Sequence, residues 1–550
     1  MMLKDKLPNK LEAVKRNNLS YTSSKKAVPE NVKKFLTGKK YFIRTFGCQA
    51  NVRDEEIMAG YLKEAGMAKT DDKALADVAI INTCAVRENA EDKVYGEIGS
   101  YKANYEKNKD FILIVSGCVI QEEGIPSSLK KSYPWVSLFL GTHELNNLLD
   151  YLSQYLRDHK TLIQAGSLVK EVVENLPSVR LSSYTSYVNI SYGCDKYCTY
   201  CIVPYTRGHE RSRKMEDILK ECRSLVEDGY KEVTLLGQNV NSYGLDFKDG
   251  TNFAALLEEV AKLGFYRVRF LTSYPSQFTK EMMEVMAKYP NICKCLHLPV
   301  QSGSTSCLKR MGRRYTREEY LALVKQLKTL MPDLALTTDI IVGFPGETEE
   351  EFKDTLSLVK EVGYSSAFTF IYSPRPGTPA ALMEQVPSEI SHRRFDKLKE
   401  VVEECTKKAS DEMVGKVYSV LITGPSKKNS EIVSSYTENG KLINCPGPEY
   451  LTGMVAGVHI DASHVYSLQG TFLKKPWEIA FDNQRFIFQR QKDLIEELRK
   501  VEDQDKWIEG YIKNEKTLQK VMQKEDIALF DAVKYLKNVI AGIPYPLSHE

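Results

Sequence analysis

From Lys39 onward the chain alternates short apolar runs with stretches whose apolar residues recur every three or four positions. "KKYFIRTFGCQAN" is an apolar run that ends at Gly47, and "DEEIMAGYLKEAGM" after it has helical spacing. "ADVAIINTCAVREN" and "FILIVSGCVIQ" repeat the unit twice more. Strands alternating with helices predict an open parallel α/β sheet with crossover helices. In each unit a cysteine stands just past the strand: Cys48, Cys84 and Cys118. Ligands of such sheets bind beyond the carboxyl ends of the strands, so these three, 36 and 34 residues apart, are predicted to converge. Three buried core cysteines are the alternative; their equivalent loop positions favour convergence.

Residues 150 to 180 read as a helix and a connector. Six further strand-like segments then follow, from "YVNISYGC" through "EVTLLGQNVNSYG", "RVRFLTSYP", "KCLHLPVQSGS" and "LALTTDIIVGFPGET" to "SAFTFIYSPRPGT", separated by helical stretches such as "MEDILKECRSLVEDG". Six β/α units predict an incomplete (β/α)6 version of the eight-unit barrel, over residues 180–410, with its site at the C-terminal mouth. From 413 to 475 short strands and glycine turns predict a small β-barrel. The segment 476–550 is charged and amphipathic, which predicts a helical hairpin extension of no assigned role. Residues 1–38, rich in Lys, Asn and Ser, read as a mobile basic arm, and 39–150 as the N-terminal sheet domain.

With 550 residues, several domains are expected. A net charge of +3 restricts nucleic-acid contact to local patches. No run approaches the roughly 20 apolar residues of a membrane span, and "MMLKDKLPNKLEAVKRNN" is charged where a secretory signal is apolar, so a cytoplasmic location and no membrane partner are expected. Twelve cysteines in a reducing compartment point to metal or redox work, not to disulfides.

The densest group is "SYGCDKYCTYC", which sets Cys194, Cys198 and Cys201 at spacings of four and three. A structural zinc site takes four ligands, commonly in cysteine pairs, and no nearby His or Cys closes the set, His209 lying eight residues on across "PYTRG". A [4Fe-4S] cluster is normally held by four cysteines, so three leave one iron open. Tyr192, Tyr197 and Tyr200 are read as packing around this loop. Other loops at strand ends offer cofactor-binding groups: Gln238, Asn239 and Asn241 in "GQNVNSYG", His297 and Gln301 in "HLPVQSGS", and Gly343, Gly346 and Glu347 in "VGFPGET". Each is a weak signal alone; together they share one end of successive strands. Cys222, Cys293, Cys295, Cys307, Cys405 and Cys445 are read as incidental or core residues.

The CxxxCxxC loop followed by a partial barrel resembles the radical S-adenosylmethionine (SAM) enzymes. With "TFGCQAN", "INTCAVRENAEDK" and "SGCV" ahead of "GCDKYCTYCIVPYTRGHERSR" and a C-terminal β module, the chain resembles their methylthiotransferase family over positions 39 to 475. The resemblance implies two [4Fe-4S] clusters, one on Cys48, Cys84 and Cys118 and one on Cys194, Cys198 and Cys201, each with an open iron. It implies two SAM molecules, one methylating a sulfur at the first cluster and one generating a 5′-deoxyadenosyl radical at the second. The β module resembles the RNA-binding TRAM domain. The wording of the N-terminal motifs implies the branch that methylthiolates C2 of N6-isopentenyladenosine 37 in a tRNA anticodon loop, although Ala50 stands where many members have Met. Threonylcarbamoyladenosine 37, an aspartate of a ribosomal protein, and a non-catalytic RNA-binding iron–sulfur protein are the alternatives. A monomer served by flavodoxin or ferredoxin as electron donor, and by a sulfur source, is implied.

Candidate RNA contacts are Arg207, Arg211 and Arg213 in "TRGHERSR", Arg310, Arg313 and Arg314 in "KRMGRRYTR", and Lys427 and Lys428 at a hairpin of the β module. For both arginine groups a solvated or salt-bridged face is the alternative.

Overall fold

The computed structural model describes residues 20–23, 27–84, 88–122, 124–165 and 171–543. Its N-terminal unit is a six-stranded sheet, all parallel, in the spatial order Ala68–Lys69, Lys40–Thr45, Val78–Thr83, Ile112–Gly117, Leu138–Leu140, Leu162–Gln164. Val78–Thr83 and Ile112–Gly117 are buried along their whole length, which explains why they read as continuous apolar runs rather than alternating ones. Helix Gln49–Glu64 packs on one face with Leu148–Asp158, and Tyr101, Phe111 and Phe139 fill the other.

The expected mobile arm 1–38 is corrected where it is described. Ser20–Ser23 forms a parallel pair with Glu171–Glu174, and Glu30–Leu36 is a helix that buries Val32 and Leu36. These two apolar residues, four apart, make a single stripe that docks near the helix Leu148–Asp158, where Asn31 Nδ2 donates to the Ser153 carbonyl at 3.0 Å. Residues 1–19 lie outside the described residues.

The central unit has six parallel strands in two curved sheets. Thr185–Asn189, Glu232–Leu236 and Arg267–Phe270 form one; Cys295–His297, Ala335–Val342 and Ser366–Ile371 form the other. A parallel bridge from Val268 to Ile292 joins them. Alternate residues pack outward on the helices, among them Val188, Val233, Leu235, Leu296, Leu336, Ile340 and Val342. The other parity faces the lumen. Two of the surrounding helices start with capping boxes, at Thr316 and Thr348.

The C-terminal strands close into a five-stranded barrel between Val417 and Phe472. Its turn at 437–441 closes the N-terminal end of the larger barrel. Arg269 donates to the carbonyls of Thr437 (2.8 Å) and Glu438 (2.9 Å), and Lys441 Nζ donates to the Ser365 carbonyl at 2.8 Å. The expected helical hairpin beyond 476 is six short helices from Pro476 to Ala541. Gln491 and Glu515 interrupt it, as does Asp526 at φ 51°. Phe481, Phe488, Leu518 and Leu536 share one core with Ile460 and Leu468 of the barrel, so the extension is part of that domain. No helix among the described residues is long and apolar enough to cross a membrane.

Candidate functional site: two thiol trios at an interdomain seam

Cys48, Cys84 and Cys118 follow three neighbouring parallel strands, and their thiols meet beyond the sheet edge. Cys48 is the N-cap of helix Gln49–Glu64. Gly47, at φ +117°, lets Cys84 approach; a Cβ there would lie 2.5 Å from Cys84 Cβ. Gly117, at φ +106°, turns the chain into Cys118, and a Cβ there would lie 2.3 Å from the Thr83 carbonyl. Burial pushes the Cys118 thiol up to about 12; Arg207 opposes this, while Cys84, Cys48 and Asp54 add to it. Asn51 Oδ1 is 3.6 Å from Cys48 Sγ, and Asn51 Nδ2 donates to the carbonyls of Phe46 (3.1 Å) and Thr83 (2.6 Å).

The second trio lies on the loop after Ser191–Tyr192, a strand paired with Arg211–Ser212. Gly193 at φ +72° packs so closely that a Cβ would meet the His209 carbonyl at 2.1 Å. The loop is held by Cys194 N–H to the Gly208 carbonyl (3.1 Å) and Thr199 N–H to the Met311 carbonyl (2.9 Å). His209 Nδ1 faces Asp195 Oδ1 at 2.8 Å and the Tyr197 hydroxyl at 3.2 Å. Burial raises the Cys194 and Cys201 thiols, the latter to about 12, and neighbouring thiols of the same trio add to both shifts. Arg313 Nη1 points at Cys198 Sγ from 3.6 Å. Its guanidinium is fixed by the Pro299 carbonyl (2.7 Å), the Tyr315 hydroxyl (2.8 Å) and the Tyr274 ring (4.3 Å).

The two trios adjoin. Ile202, next to Cys201, shares one small apolar cluster with Cys118 and Val119. Arg207, a few residues further on, crosses the seam and donates to Asn51 Oδ1 at 3.0 Å and Asp54 Oδ2 at 2.9 Å. Beside it a cavity of about 140 Å³ is lined from the sheet domain by Asp54, His143 and Glu144 and from the barrel by Ser191, Arg211 and Gln238. Burial, Arg211 and Arg207 pull the His143 imidazole down to about 3, so it is neutral.

Three soft donors in each trio fit an iron–sulfur cluster rather than a single ion. A cubane spreads its three thiolates over three irons. Desolvated thiols such as Cys118 and Cys201 resist ionisation as free groups, and a bound metal removes that resistance.

Other sequence candidates fall into different roles. Asn239 and Asn241, expected among the cofactor-binding groups, hydrogen-bond within the scaffold here. Asn241 Oδ1 accepts from Tyr274 N–H (2.9 Å) and its Nδ2 donates to the Tyr274 carbonyl (2.9 Å), while Asn239 engages Gln277 and Ser242. Glu347 is buried, accepting from Gly343 N–H (2.8 Å) and Arg394 (2.9 Å), so it staples its own turn. Gly346 gives its carbonyl to Arg310. Gln238 reaches the cavity, and His297 faces the barrel lumen. Gln301 sits at φ +72° in a bridge with Ile340. Arg207 and Arg213 are corrected from RNA contacts to buried pairs, Arg213 holding Glu174 at 2.6 Å and Glu221 at 2.8 Å. Arg211 is buried at the cavity. Arg310 pairs with Glu351, Arg313 serves the thiol loop, and Arg314, Lys427 and Lys428 are exposed. Tyr200 packs against Phe344. Asn51, Asp54 and His143 were not singled out in the sequence; only the position of Asn51 one helical turn past Cys48 signals it.

Residues 188–359 match the radical SAM superfamily, and this partial barrel with its three-thiol loop defines the class of protein. Residues 40–141 match a family described as uncharacterized protein family UPF0004, and 411–473 match the TRAM domain. The chain is 47% identical over 475 residues to the tRNA-2-methylthio-N(6)-dimethylallyladenosine synthase of Geobacillus kaustophilus, covering 86% of this chain and 90% of that one. It is 47% identical over 454 residues to the enzyme of the same name from Bacillus subtilis, covering 82% and 89%. The chain therefore belongs to this family of methylthiotransferase enzymes. Among solved structures, the radical SAM methyltransferase TsrM of Kitasatospora setae is similar at TM-score 0.47 and 13% identity, over 63% of this chain and 75% of that one.

Proposed function

We propose that the chain transfers a methylthio group to C2 of N6-isopentenyl (dimethylallyl) adenosine 37 in tRNA, with two [4Fe-4S] clusters and two SAM molecules. The observation that carries this reading is the meeting of two three-thiol sites at one seam, with Ile202 of one loop packed on Cys118 of the other. The family relatives are named for this reaction.

Cys48, Cys84 and Cys118 would hold one cluster, and Cys194, Cys198 and Cys201 the other. When bound with SAM, such a cluster supplies the one-electron cleavage that activates an otherwise inert C–H bond. The protein's part is positioning. Arg313 places positive charge against Cys198, and Tyr274, Tyr315 and Tyr200 surround it with rings that limit water. Arg207 ties the second loop to Asn51 and Asp54, so the two trios keep a fixed separation across the seam. An electron donor such as flavodoxin or ferredoxin and a sulfur source complete the reaction, in the cytoplasm.

The test is nucleoside analysis by mass spectrometry. A strain lacking the gene should lose 2-methylthio-N6-isopentenyladenosine and accumulate N6-isopentenyladenosine; unchanged nucleosides would overturn the reading. In the anaerobically reconstituted protein, Cys198→Ala should abolish 5′-deoxyadenosine formation. Cys84→Ala should leave that formation intact and stop methylthio transfer.

A further inference from the structure

The lumen of the partial barrel carries an open aromatic wall that the two thiol sites do not use. On the last strand, Ser366–Ile371, Ala367 and Ile371 pack outward toward the helices. The other parity turns Phe368 and Phe370 inward, where they remain 53% and 36% exposed. Phe368 is the register partner of Asp339 and Phe370 that of Ile341. His297 Nε2 stands 3.4 Å from Asp339 Oδ2, its Nδ1 is 3.0 Å from the Thr337 hydroxyl, and its ring meets Phe368 edge-on at 6.1 Å between centroids.

Two large apolar rings left open beside one carboxylate form a wall that is apolar at the rings and polar where Asp339, His297 and Thr337 meet. The wall lies between a closed base and the thiol loop. Below it, the 437–441 turn seals the strand origins through Arg269 and Lys441. Above it, the chain that leaves the strand after His297 reaches Pro299, whose carbonyl fixes the Arg313 that touches Cys198.

We propose that Phe368 and Phe370 hold the N6-dimethylallyl chain of the substrate adenine while Asp339, oriented by His297, accepts a hydrogen bond from its N6–H. The inference rests on the proposed function and deepens it by naming the groups that choose the N6 substituent. A dimethylallyl group is a branched hydrocarbon on a secondary amine with one N–H, which matches two rings and one acceptor. A threonylcarbamoyl group at the same nitrogen ends in a carboxylate. It would meet the Asp339 charge and the two apolar rings, and both disfavour a desolvated anion. The wall thus selects one adenosine-37 substituent against the other. A pocket of this kind distinguishes substituents that differ by a single methylene by about 10- to 200-fold.

The experiment uses the full chain with reconstituted clusters and two tRNAs of one sequence, with and without the dimethylallyl group on adenosine 37. For wild type, Phe368→Ala, Phe368→Leu and Asp339→Asn, kcat/KM is measured on both tRNAs, together with SAM cleavage without tRNA. Phe368→Ala should lower the preference for the prenylated tRNA about 10- to 100-fold, chiefly through KM, and Phe368→Leu should recover most of it. Asp339→Asn should lower kcat/KM on both tRNAs, since each carries an N6–H, and SAM cleavage without tRNA should persist throughout. A wild type that prefers the prenylated tRNA and a Phe368→Ala variant with the same preference would overturn the wall. A wild type that methylthiolates neither tRNA would instead overturn the proposed function beneath it.

Discussion

Replacing Glu221 by glutamine tests the physical account of the seam most directly. Glu221 sits on the first long helix of the barrel, Met215–Glu227. Its Oε1 accepts from Arg53 of the sheet domain at 3.0 Å and from Arg180 of the connector at 2.6 Å, and its Oε2 from Arg213 at 2.8 Å. Glu56 accepts from the same Arg53 and Arg180, each at 3.0 Å, and Glu174 closes the set on Arg213. Three arginines and three carboxylates thus join two domains and their linker with little solvent between them. Burial by itself raises the Glu221 pKa, but Arg213, then Arg53 and Arg180, outweigh it and hold the carboxyl at about 2 against an ordinary 4.5. At about 1.4 kcal/mol per tenfold, that depression corresponds to about 3 kcal/mol of stability. Breaking a buried pair by removing one partner costs about 3–5 kcal/mol, which agrees in size.

Glu221→Gln keeps the shape and one acceptor while leaving three guanidinium groups against two carboxylates. A loss of about 3 kcal/mol in urea denaturation is expected, with faster protease cutting in the connector 175–184. The sign with pH follows from the depressed pKa. The wild-type advantage is full above about 4.5 and is lost as pH falls toward about 2. The difference between wild type and variant should therefore be flat from about pH 8 to 6 and shrink only below about 4.5. A loss under about 0.5 kcal/mol, the size of an ordinary surface change, or a difference that disappears between pH 8 and 6, would refute the network as the clamp.

Gly47→Ala should empty the N-terminal trio of iron, because its Cβ would fall 2.5 Å from that of Cys84 at φ +117°. SAM cleavage at the barrel loop should persist, and full iron content would contradict the close approach. Phe488→Ala removes a completely buried ring from the core that the extension shares with the small barrel. It should cost about 3–5 kcal/mol, seen as early melting of the C-terminal domain by calorimetry; unfolding of the extension alone, with the barrel unmoved, would show two separate cores. Lys427→Glu with Lys428→Glu should lower the slope of log affinity for tRNA against log salt by about 1.4–1.8, the share of two phosphate contacts. An unchanged slope would remove that hairpin from the RNA surface.

What was legible in the sequence is what depends on near neighbours and burial. The strands ahead of Cys48, Cys84 and Cys118 read correctly because buried parallel strands are continuous apolar runs, and topology then brings their ends together. The arginines misled because their partners are distant in sequence. Asp54 lies 153 positions from Arg207 and Glu174 lies 39 from Arg213, so a basic run looked like an RNA surface. Asn239 and Asn241 also have distant partners, since the Tyr274 backbone they satisfy is 35 and 33 residues on. "SAFTFIYS" showed a strand but not its parity. Which face of an edge strand is open depends on how many strands the barrel lacks, and nothing local encodes that.

The corrected arginines change what kind of device the seam is. Had Arg207 and Arg213 faced solvent, the two thiol sites would be held together mainly by apolar packing at Ile202 and Cys118, which tolerates sliding. Buried ion pairs do not, because each angström of separation leaves a desolvated charge without its partner. Arg207 follows Cys201 on one side and grips Asn51, three residues after Cys48, on the other, so the loop of one trio cannot shift without dragging the helix N-terminus of the other. Under the proposed function, transfer of a group between two centres needs that constancy of distance more than it needs affinity. The basic residues nearest the thiol loops are accordingly turned inward, while Arg314, Lys427 and Lys428 stay exposed.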